Sequence, residues 1–598
     1  MQNVNSEDEV KRYWDANWPE GVPQHVDYDV ISLGEMLRDT TNLYPDSQAI
    51  YFEGWRCTYK ELDTMVDKFA TALSKIGIEK GDVVLIDLPN VPQFIICYFA
   101  IVRLGAVANP IIPLNRYTEI VHQTNDSNGK TLIILDILYE EHLHNKDLTK
   151  MPTLKDIILT GIVEYLPKIK AKLGKALGKV PMMKKWPTGK IGPIKYHTFQ
   201  DLMQMGVPID VPNVKINPKE DVSTLIYTGG TTGLPKGCQM SHFNFVVNAQ
   251  QGKVWVENQL PQVKETYGKG GMFVVLPLAH EFALSIGMNI GIFMGYKLIL
   301  FPRPPENIIN LLKVIKKEGA TFGPGVPTLW NALANHPKAA KYKGNLSSLI
   351  ACLSGASALP LEVKQKFEDI TGALIIEGFG MSETSPILTV TPFHKYKENT
   401  VGFPVSDTLI KIVDVDDGTK ILKQCTKDNC DNCGAVEAQY IGEICGCGPQ
   451  VFLGYLNRPK ETEYALRKDS KGRTWYYTTD IGCIDKEGYL HIKDRKRDMI
   501  KYKGHSVFPR EVEDLIYLNP AVNEVGVVGV PDPESGETIK AYISLKPEYQ
   551  GKITEEELME WCKSNISAFK YPRIIEIIPE LPKSIVGKIL RRELRIKE

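Results

Sequence analysis

The sequence predicts an α/β protein in which a large N-terminal domain of layered, largely parallel sheets and helices precedes a small α+β C-terminal domain. Short apolar runs alternate with amphipathic segments over most of the chain, a pattern typical of parallel sheets covered by helices. The length of 598 residues also exceeds one ordinary domain. After Arg495 charged residues cluster and the elements become shorter, so we expect the two domains at residues 1–495 and 496–598.

Each predicted strand is a short apolar run between turn residues. The predicted strands lie at residues 49–52, 82–88, 106–109, 131–135, 156–159, 222–227, 272–276, 297–300, 320–323, 350–354, 525–530 and 541–545. The predicted helices lie at residues 32–78, interrupted by the first strand, and at 91–104, 241–251 and 554–564. Ser241 is a suitable N-cap for the third of these helices, and acidic residues open the last.

The composition indicates a globular protein, with 43% apolar and 24% charged residues. The net charge of −1 provides no general attraction for nucleic acid, so we expect no nucleic-acid partner. The first ten residues are polar and acidic, unlike a signal peptide, and no apolar run reaches the about 18 residues of a membrane span. A cytoplasmic location is therefore expected.

A loop rich in glycine and threonine follows the predicted strand at residues 222–227. Its glycines let backbone N–H groups approach an anion, its threonines add hydroxyl donors, and its lysine adds charge. The candidate phosphate-binding residues are Thr228, Gly229, Gly230, Thr231, Thr232, Gly233 and Lys236. A strand, such a loop and a helix in this order form a phosphate-binding arrangement. A surface loop without a ligand is the alternative, and a Walker A loop is excluded because glycine follows Lys236.

Four further motifs follow this loop along the chain. They are Gly-Phe-Gly-Met-Ser-Glu-Thr at residues 378–384, Tyr-Thr-Thr-Asp at 477–480, Asp-Arg-Lys-Arg-Asp at 494–498 and Pro-Lys-Ser-Ile-Val-Gly-Lys at 582–588. Together with the loop they resemble the motifs of the adenylate-forming enzymes, the superfamily of acyl-CoA synthetases, luciferases and peptide-synthetase adenylation domains. The resemblance extends from about Arg12 to Leu594, and among the subfamilies it is strongest to bacterial long-chain fatty acyl-CoA synthetases.

The resemblance implies a reaction in two halves. A carboxylic acid reacts with ATP to give an acyl adenylate and pyrophosphate, and CoA then displaces AMP. Mg²⁺ is the implied metal and Glu383 its ligand, because Mg²⁺ binds few protein oxygens alongside phosphates. The resemblance also implies that the small domain is mobile and rotates about Arg497 between the two half-reactions.

The resemblance assigns further residues to the nucleotide. Ser382 would donate to the α-phosphate, Phe379 would lie against the adenine, and Asp480 would accept from the ribose hydroxyls. The predicted nucleotide set also contains Gly355, Ala356, Glu377, Gly378, Gly380, Met381, Arg495 and Lys501. Ser382 stands where the family has threonine, and Thr479 stands where it has glycine. Ordinary turns, and an exposed ion pair between Asp480 and Arg495, are the structural alternatives.

Lys588 is the predicted catalytic lysine, because the resemblance places it between the substrate carboxylate and the α-phosphate. Lys503 and Gly504 match the surface that meets CoA after the small domain rotates. His280 matches a position beside the carboxylate end of the acyl pocket, and a structural histidine is the alternative. The small residues that line or abut the acyl channel in this interpretation are Gly287, Gly291, Gly295, Gly323 and Gly325.

Residues 161–195 form a predicted insert that is rich in lysine and poor in acid. Seven of its lysines, at positions 168, 170, 172, 175, 179, 184 and 185, interleave with the apolar residues Leu166, Ile169, Leu173, Leu177, Met182, Met183 and Trp186. A basic amphipathic segment of this kind is typical of a protein that lies on an anionic lipid surface. Peripheral membrane association is therefore expected. A solvated hairpin, or a helix packed against the rest of the protein, is the alternative.

A second predicted insert, residues 425–447, holds five cysteines. Cys430 and Cys433 form a C-x-x-C pair, and Cys445 and Cys447 supply two more thiols. Four thiolates suit tetrahedral Zn²⁺, although the second pair is closer in sequence than zinc ligands usually are. Free thiols or a labile disulfide are the alternatives, and an iron–sulfur cluster is a less favoured one because nothing else in the sequence indicates redox chemistry. The cluster is absent from the family pattern, so its expected role is structural.

The sequence therefore predicts an ATP-dependent acyl-CoA synthetase for medium- or long-chain fatty acids, with fatty acid, ATP and CoA as its small-molecule partners. An aryl- or alicyclic-acid CoA ligase of the same fold is one alternative. An acyl-AMP ligase that loads a carrier protein is another, and a non-catalytic protein that binds nucleotide or a lipid surface is a third. The retained Glu383, Asp480 and Lys588 favour an enzyme over the third alternative.

Overall fold

Two nine-stranded sheets with parallel centres form most of the protein, and two smaller sheets complete it. The computed structural model describes residues 13–178, 180–228, 235–305, 307–425, 440–503, 505–532, 535–583 and 589–596. In chain order, the strands are β1 (Gln48–Phe52), β2 (Trp55–Thr58), β3 (Val83–Asp87), β4 (Val107–Pro110), β5 (Thr131–Leu135), β6 (Asp156–Thr160), β7 (Gly189–Ile191), β8 (Ile194–Thr198), β9 (Val222–Thr228), β10 (Lys236–Ser241), β11 (Gly271–Val274), β12 (Lys297–Leu300), β13 (Phe322–Gly325), β14 (Ala351–Ser354), β15 (Leu374–Gly380), β16 (Ile387–Val390), β17 (Phe403–Pro404), β18 (Leu409–Val413), β19 (Gly442–Cys447), β20 (Gly454–Tyr455), β21 (Leu466–Lys468), β22 (Thr474–Ile484), β23 (Leu490–Arg495), β24 (Ile500–Tyr502), β25 (His505–Val507), β26 (Val522–Asp532), β27 (Gly536–Leu545) and β28 (Ile574–Ile577).

Helices cover both large sheets, and several of them begin at capping residues. In chain order, they are α1 (Leu33–Leu43), α2 (Tyr59–Lys75), α3 (Pro92–Arg103), α4 (Tyr117–Asp126), α5 (Asp136–His142), α6 (Lys168–Ala176), α7 (Phe199–Met205), α8 (His242–Gln259), α9 (Ile290–Phe293), α10 (Ile309–Glu318), α11 (Pro327–Ala334), α12 (Leu361–Thr371), α13 (Pro459–Ala465), α14 (Pro509–Ile516), α15 (Glu555–Asn565) and α16 (Arg591–Ile596). Capping boxes start α1 at Ser32, α2 at Thr58 and α8 at Ser241, because each side chain satisfies a free N–H of the first turn.

The first large sheet has the strand order β17-β16-β15-β14-β13-β11-β12-β1-β2. Strands β15, β14, β13, β11, β12 and β1 run parallel, and antiparallel strands cover the two edges. Ser354 at the end of β14 lies opposite Glu377 in β15. Because parallel strands end at the same edge, the loop after β14 and the motif at residues 378–384 leave the sheet side by side. The loop after β14 contains the predicted nucleotide residues Gly355 and Ala356 and is called the adenine-side loop.

The second large sheet has the order β20-β10-β9-β4-β3-β5-β6-β8-β7, with a parallel centre from β9 to β8. Strands β9 and β10 are antiparallel neighbours, with Thr228 opposite Lys236. The predicted order of strand, glycine-rich loop and helix was therefore wrong, because β10 lies between the loop and helix α8. The polar and glycine-containing sequence of β10 gave no strand pattern, and only its pairing with β9 defines it.

The two smaller sheets contain residues 409–495 and 500–577. The first pairs β18, β19, β22, β21 and β23 antiparallel, and the second has the order β25-β24-β27-β26 with β28 parallel to β27. The largest hydrophobic core includes buried residues from Trp14 to Leu490, whereas a separate core extends from Ile500 to Ile575. The predicted α/β class, with largely parallel sheets and a smaller C-terminal domain, is confirmed.

The two predicted inserts differ in how far the structure describes them. In the lysine-rich insert, α6 and β7 are short elements, and α6 is an exposed helix rather than one packed tightly into the protein. In the cysteine-rich insert, residues 426–439 lie outside the described residues. Among the helices that the structure describes, none is long and apolar enough to cross a membrane.

Candidate active site

Glu383 lies in a tight turn whose backbone requires glycine. Strand β15 ends at Gly380, where an added Cβ would lie 1.6 Å from the carbonyl oxygen of Pro386, so no larger residue fits. The Thr384 hydroxyl donates to the same carbonyl oxygen at 2.6 Å, and the N–H of Met381 donates to the Thr384 hydroxyl oxygen at 3.2 Å. These contacts fix the 3-10 turn that carries Glu383.

The carboxylate of Glu383 is buried and hydrogen-bonded. The Tyr455 hydroxyl donates to its Oε1 at 2.7 Å. Burial raises the pKa of Glu383, the bond from Tyr455 opposes this rise, and the charge of Asp480 adds to it. A bound cation would relieve the cost of the buried charge, so the environment of Glu383 suits a divalent metal ligand.

Tyr455 connects Glu383 to the β9–β10 hairpin, which is called the phosphate-loop hairpin because its loop contains the predicted phosphate-binding residues. Its strand β20 pairs with β10, where Cys238 lies opposite Tyr455, and the Nζ atom of Lys236 lies 5.3 Å from the centroid of the tyrosine ring. Burial and the Glu383 charge raise the pKa of Tyr455, so its hydroxyl keeps the proton that it donates. The structure therefore brings Lys236, Tyr455 and Glu383 together. Sequence reasoning missed Tyr455, since a glycine-tyrosine pair after an apolar run is too common to indicate a site.

Glu377 holds the adenine-side loop. One of its carboxylate oxygens accepts from the N–H of Leu359 at 2.9 Å, and the other accepts from the Tyr396 hydroxyl at 3.0 Å. Burial raises the pKa of Glu377. Ala356, within the loop, has a φ of +70°, a left-handed conformation that is uncommon for a residue with a Cβ. Both carboxylate oxygens of Glu377 are thus used to support a strained turn, which is typical of ligand-binding loops.

Six further predicted nucleotide residues follow the same edge of the first sheet. They are Gly355, Gly378, Phe379, Gly380, Met381 and Ser382. The N–H of Gly355 donates to the carbonyl oxygen of Gly325 at 3.2 Å, which ties this loop to the end of β13. The side chain of Phe379 is mostly buried.

Asp480 and Arg495 face each other across the β22–β23 hairpin. Their backbones are register partners, and the Arg495 Nε atom lies 3.4 Å from Asp480 Oδ1. Thr479, which replaces the family glycine, has a φ of +62° and therefore keeps the left-handed turn that glycine would adopt. The N–H of Thr479 donates to Glu443 Oε1 at 3.0 Å, and Lys496 binds the other oxygen of Glu443 at 3.1 Å. These contacts hold the turn before Asp480 despite its backbone strain.

His280 and Glu281 lead into a π-helical segment, Ala283–Asn289. The Nδ1 atom of His280 accepts from the N–H of Phe282 at 3.2 Å, and burial lowers the pKa of His280, so its ring is neutral. Glu281 is buried, and its Oε1 accepts from the Ser285 hydroxyl at 2.7 Å. Its Oε2 has no hydrogen-bond partner within the described part of the chain. Sequence reasoning gave Glu281 no role.

The Glu281→Gln variant is expected to change how the stability of the protein depends on pH. Burial, the larger cause, and the Glu383 charge raise the pKa of Glu281 from 4.5 to about 8. Between these two values the folded protein keeps a proton that the unfolded chain has lost, so its free energy of unfolding falls as pH rises, by about 1.4 kcal/mol per pH unit. Glutamine removes this contribution, so the stability of the variant relative to the original protein should increase from pH 5 towards pH 8.

Urea unfolding monitored by tryptophan fluorescence at several pH values measures this difference. The control is Glu362→Gln, because Glu362 is an exposed glutamate on α12. Parallel stability profiles for Glu281→Gln and the original protein would contradict the assigned buried, protonated state.

The small-domain candidates lie on the β24–β25 hairpin and just before it. Lys501 is exposed on β24, and its N–H donates to Glu537 Oε2 at 2.7 Å. Lys503 has a φ of +47°, and its N–H donates to the carbonyl oxygen of Ser535 at 3.0 Å. Burial and the nearby charge of Arg495 lower the pKa of Arg497.

Several predicted residues lie outside the described residues. They are Gly229, Gly230, Thr231, Thr232, Gly233, Cys430, Cys433, Gly504 and Lys588. On the two sides of residues 584–588, Lys583 forms a β-bridge with Ile589, and the N–H of Leu590 donates to the carbonyl oxygen of Pro582 at 2.8 Å.

Cys445 and Cys447 lie on β19, within the third sheet. Cys445 is buried with Val413, Trp475 and Tyr477, and burial raises the pKa of its thiol well above the usual value. Metal binding requires a thiolate, so this apolar environment does not favour Cys445 as a ligand. Over the described ranges, no group of three or more His, Cys, Asp or Glu side chains is arranged to hold a metal ion.

An apolar cavity lies between helix α8 and the first large sheet. The cavity has a volume of about 60 Å³, and its wall is almost entirely apolar. The lining residues are Gly252, Trp255, Val256, Met272, Ile286, Ile290, Met294, Phe322, Gly323, Ala351, Cys352, Leu353, Ile376, Ile387, Val390 and Phe393. Strands β14 and β15 contribute to this lining and also lead to the nucleotide motifs, so cavity and motifs share the same strands.

The sequence and the fold match known proteins over nearly the whole chain. The family model of AMP-binding enzymes matches residues 37–456, and the model of the AMP-binding enzyme C-terminal domain matches residues 511–588. A Bacillus subtilis (strain 168) protein named long-chain-fatty-acid–CoA ligase is 35% identical, over 98% of this chain and 98% of its own length.

Two solved structures have the same fold. The structure of a long-chain-fatty-acid-CoA ligase from Archaeoglobus fulgidus is 26% identical with a TM-score of 0.66, covering 94% of this chain and 100% of that chain. The structure of an anthranilate CoA ligase in complex with anthranoyl-AMP is 24% identical with a TM-score of 0.77, covering 95% and 97% of the two chains. These matches confirm the resemblance inferred from the sequence motifs, and the chain belongs to the family of AMP-binding enzymes.

Proposed function

We propose that this protein is an ATP-dependent fatty acyl-CoA synthetase. It converts a medium- or long-chain fatty acid, ATP and CoA into acyl-CoA, AMP and pyrophosphate through an acyl adenylate. The observation that carries the proposal is the apolar cavity on the strands that lead to the nucleotide motifs. Burying an alkyl chain there is favourable by about 0.8 kcal/mol for each methylene. The 35% identity to a protein named long-chain-fatty-acid–CoA ligase supports the same substrate class.

The cavity argues against aryl acids that carry polar ring substituents. A pocket for a polar aryl acid needs a few polar side chains that fix the orientation of the ring substituents. Within the described residues, no charged, hydroxyl or amide side chain lines this cavity, and its wall of Met, Ile, Val, Phe and Trp matches an unbranched alkyl chain.

A panel of acids assayed for AMP formation tests the proposal. We expect palmitate and other fatty acids to support AMP release with CoA as the acceptor, with higher kcat/KM than benzoate or coumarate. Faster turnover of an aryl acid would overturn the substrate class. Acyl transfer to a carrier protein but not to CoA would identify an acyl-AMP ligase, and release of ADP would exclude adenylate chemistry.

The predicted nucleotide residues have complementary roles in this reaction. The loop residues from Thr228 to Gly233, with Lys236, would bind the β- and γ-phosphates, and Ser382 would donate to the α-phosphate. Asp480 would accept from the ribose hydroxyls, with Arg495 beside it. Neutral His280, next to the cavity-lining π-helical segment, would lie near the carboxylate of the fatty acid. Lys588 would then neutralise the charge where that carboxylate meets the α-phosphate.

Glu383 fits the predicted Mg²⁺, because it is a buried carboxylate whose ionised form a cation would stabilise. When bound, Mg²⁺ would neutralise charge on the phosphate oxygens as pyrophosphate leaves. Tyr455 keeps the carboxylate oriented through its 2.7 Å hydrogen bond. The predicted structural Zn²⁺ has weaker support, because Cys445 lies in an apolar cluster, and metal analysis of the purified protein tests it.

We propose Arg497 as the hinge between domains at residues 1–495 and 496–598, with Lys503 and Gly504 on the surface that meets CoA. A cluster of ion pairs joins residues that lie before and after Arg497 in the sequence. Arg591 of helix α16 binds Asp494, before Arg497, at 2.8 Å, and Glu513, after it, at 2.5 Å. Such contacts hold one domain orientation and would have to rearrange when the small domain rotates.

The Arg497→Pro variant is expected to separate the two half-reactions. Proline fixes φ near about −65°, so it prevents the backbone rotation that a hinge residue must make. One half-reaction should then fall several-fold more than the other, as measured by pyrophosphate exchange and by conversion of supplied acyl-AMP with CoA. Arg497→Ala is the control, because it removes the side chain without fixing φ. Equal losses in both half-reactions would contradict the hinge.

We also propose that helix α6 attaches the enzyme to anionic membranes. Ile169 and Leu173, one turn apart on α6, are 82% and 59% exposed, and Leu177 just beyond the helix is 60% exposed. No acidic residue occurs between residues 165 and 200, whereas lysines surround these apolar side chains. Apolar insertion and attraction of lysines to acidic headgroups are the two forces that hold a peripheral helix on a bilayer.

The double variant Ile169→Ser/Leu173→Ser is expected to lose most of its binding to vesicles that contain phosphatidylglycerol. Co-sedimentation at low and high salt measures the binding, which should also weaken as salt increases. Ile209→Ser is the matched control, because Ile209 is 90% exposed but lies outside the lysine-rich segment. Unchanged binding of the double variant would show that α6 is only a solvated surface helix.

A further inference from the structure

An N-terminal arm, residues 13–32, crosses the surface of the large domain. The Asn17 side chain donates to the carbonyl oxygen of Glu487 at 2.9 Å, and the N–H of Val26 donates to Asp407 Oδ2 at 3.0 Å. Closer to α8, the N–H of Asp29 donates to Gln250 Oε1 at 3.4 Å. The arm is thus held at three separate positions, and it passes beside the helix that forms one wall of the apolar cavity.

Within this arm, Trp18 packs against Trp255 of α8. The two ring centroids are 6.0 Å apart with an interplanar angle of 85°, an edge-to-face contact. The Trp18 indole N–H donates to the carbonyl oxygen of Val22 at 2.7 Å, so the arm itself fixes the ring of Trp18. Trp255 is buried and lines the cavity. The arm therefore supports a cavity wall from outside.

Trp255 lies beyond the point at which helix α8 passes the nucleotide motif at residues 378–384. Asn248 of α8 exchanges hydrogen bonds with the backbone of Ile387, the register partner of Gly380, and Trp255 follows about 10 Å further along the helix axis. The strands agree with this direction, because Phe322 and Ala351, which line the cavity, are the first residues of β13 and β14. The adenine-side loop follows the opposite end of β14. The Trp18–Trp255 contact therefore lies towards the end of the cavity that is farther from the nucleotide motifs.

We propose that Trp255, supported by Trp18 of the N-terminal arm, forms the end wall that limits the length of acyl chain accepted. This inference rests on the proposed fatty acyl-CoA synthetase function. An acyl chain shorter than the cavity gains binding with each methylene, whereas a longer chain must displace the indole ring of Trp255. Displacing that ring also requires movement of Trp18, because the arm holds Trp18 against it.

A substitution at Gly252 provides a second, independent way to change the shape of the same cavity. It lies one turn before Trp255 on α8, and an added Cβ would lie 2.6 Å from Ile290 Cδ1, the flexible end of another lining side chain. A small shift of that isoleucine accommodates an alanine at this position. Gly252→Ala should therefore narrow the cavity without unfolding the helix, since alanine favours helix more than glycine does.

The test measures kcat/KM for octanoate, palmitate and arachidate, in AMP formation with CoA, for the full-length protein. Trp255→Ala is expected to raise the arachidate-to-palmitate ratio by at least about fourfold, the value of one additional buried methylene. Trp18→Ala should change this ratio in the same direction but less. Gly252→Ala should change it in the opposite direction and favour octanoate. Trp14→Phe is the control in the same arm, because Trp14 packs near Gly488 rather than against Trp255.

The outcomes distinguish this inference from the proposed function. If no fatty acid yields AMP with the original protein, the proposed function fails. A second outcome is that the original protein is active while Trp255→Ala and Gly252→Ala show the same chain-length ratios of kcat/KM as the original protein. In that case the end-wall assignment is wrong. If Trp255→Ala changes the ratio and soluble, folded Trp18→Ala does not, the arm has no part in chain-length selection.

Discussion

Replacing Lys588 with alanine is expected to reduce acyl-adenylate formation by at least about a hundredfold, the typical cost of removing one preorganised charge stabiliser. The reaction brings a carboxylate against the α-phosphate, and the two negative charges repel each other until a cation lies between them. We propose Lys588 for that place, because it ends the motif Pro-Lys-Ser-Ile-Val-Gly-Lys at residues 582–588. Pyrophosphate exchange dependent on a fatty acid measures this half-reaction directly.

The effect of Lys588→Ala on the second half-reaction should differ from its effect on the first. Conversion of supplied acyl-AMP and CoA to acyl-CoA should be much less affected by Lys588→Ala, because no carboxylate needs neutralising there. Lys583→Ala is the matched control, since Lys583 lies in the same segment but forms an ion pair with Glu524 at 2.6 Å. Equal losses in both half-reactions, or an equal effect of Lys583→Ala, would overturn the assignment of Lys588.

Most of the parallel strands could be predicted from the sequence because they are buried on both faces, whereas the partly exposed parallel strands β8 and β28 were missed. Strands such as β3 and β5 are continuous apolar runs, which periodicity identifies without knowledge of their neighbours. Strand β10 could not be predicted in this way. It reads Lys-Gly-Cys-Gln-Met-Ser, and its extended conformation depends on pairing with β9 and β20. The pairing partner in β20 is distant in sequence, so no local pattern encodes it.

In the candidate site too, residues whose conformation depends on neighbours in the sequence could be predicted, whereas residues that depend on contacts across the fold could not. Gly380 and Thr479 lie within motifs, so their conformations follow from local backbone requirements, and Thr479 keeps the left-handed turn of the family glycine. Tyr455 and Glu281 could not be predicted, because their importance depends on contacts across the fold. Tyr455 reaches Glu383 from a different strand, and the burial of Glu281 is what makes its carboxyl unusual.

Glu383→Gln is expected to lower fatty-acid-dependent pyrophosphate exchange by about 10²–10³-fold, the scale of losing one stabiliser of developing charge. Glutamine keeps the shape of the side chain and still accepts the hydrogen bond from Tyr455, so the turn between Gly380 and Pro386 should remain intact. What the variant loses is the negative charge that would bind Mg²⁺. The Mg²⁺ concentration required for half-maximal activity should therefore rise along with the loss of rate.

Tyr455→Phe separates the charge of Glu383 from its orientation. This variant removes the 2.7 Å hydrogen bond to Oε1 but keeps the carboxylate, so its loss should be smaller than that of Glu383→Gln. The tyrosine bond also opposes the raised pKa of Glu383, so removing it should shift the acidic limb of the pH–rate profile to higher pH. If Glu383→Gln retained full activity and an unchanged Mg²⁺ dependence, Glu383 would be a structural residue of the turn rather than the metal ligand.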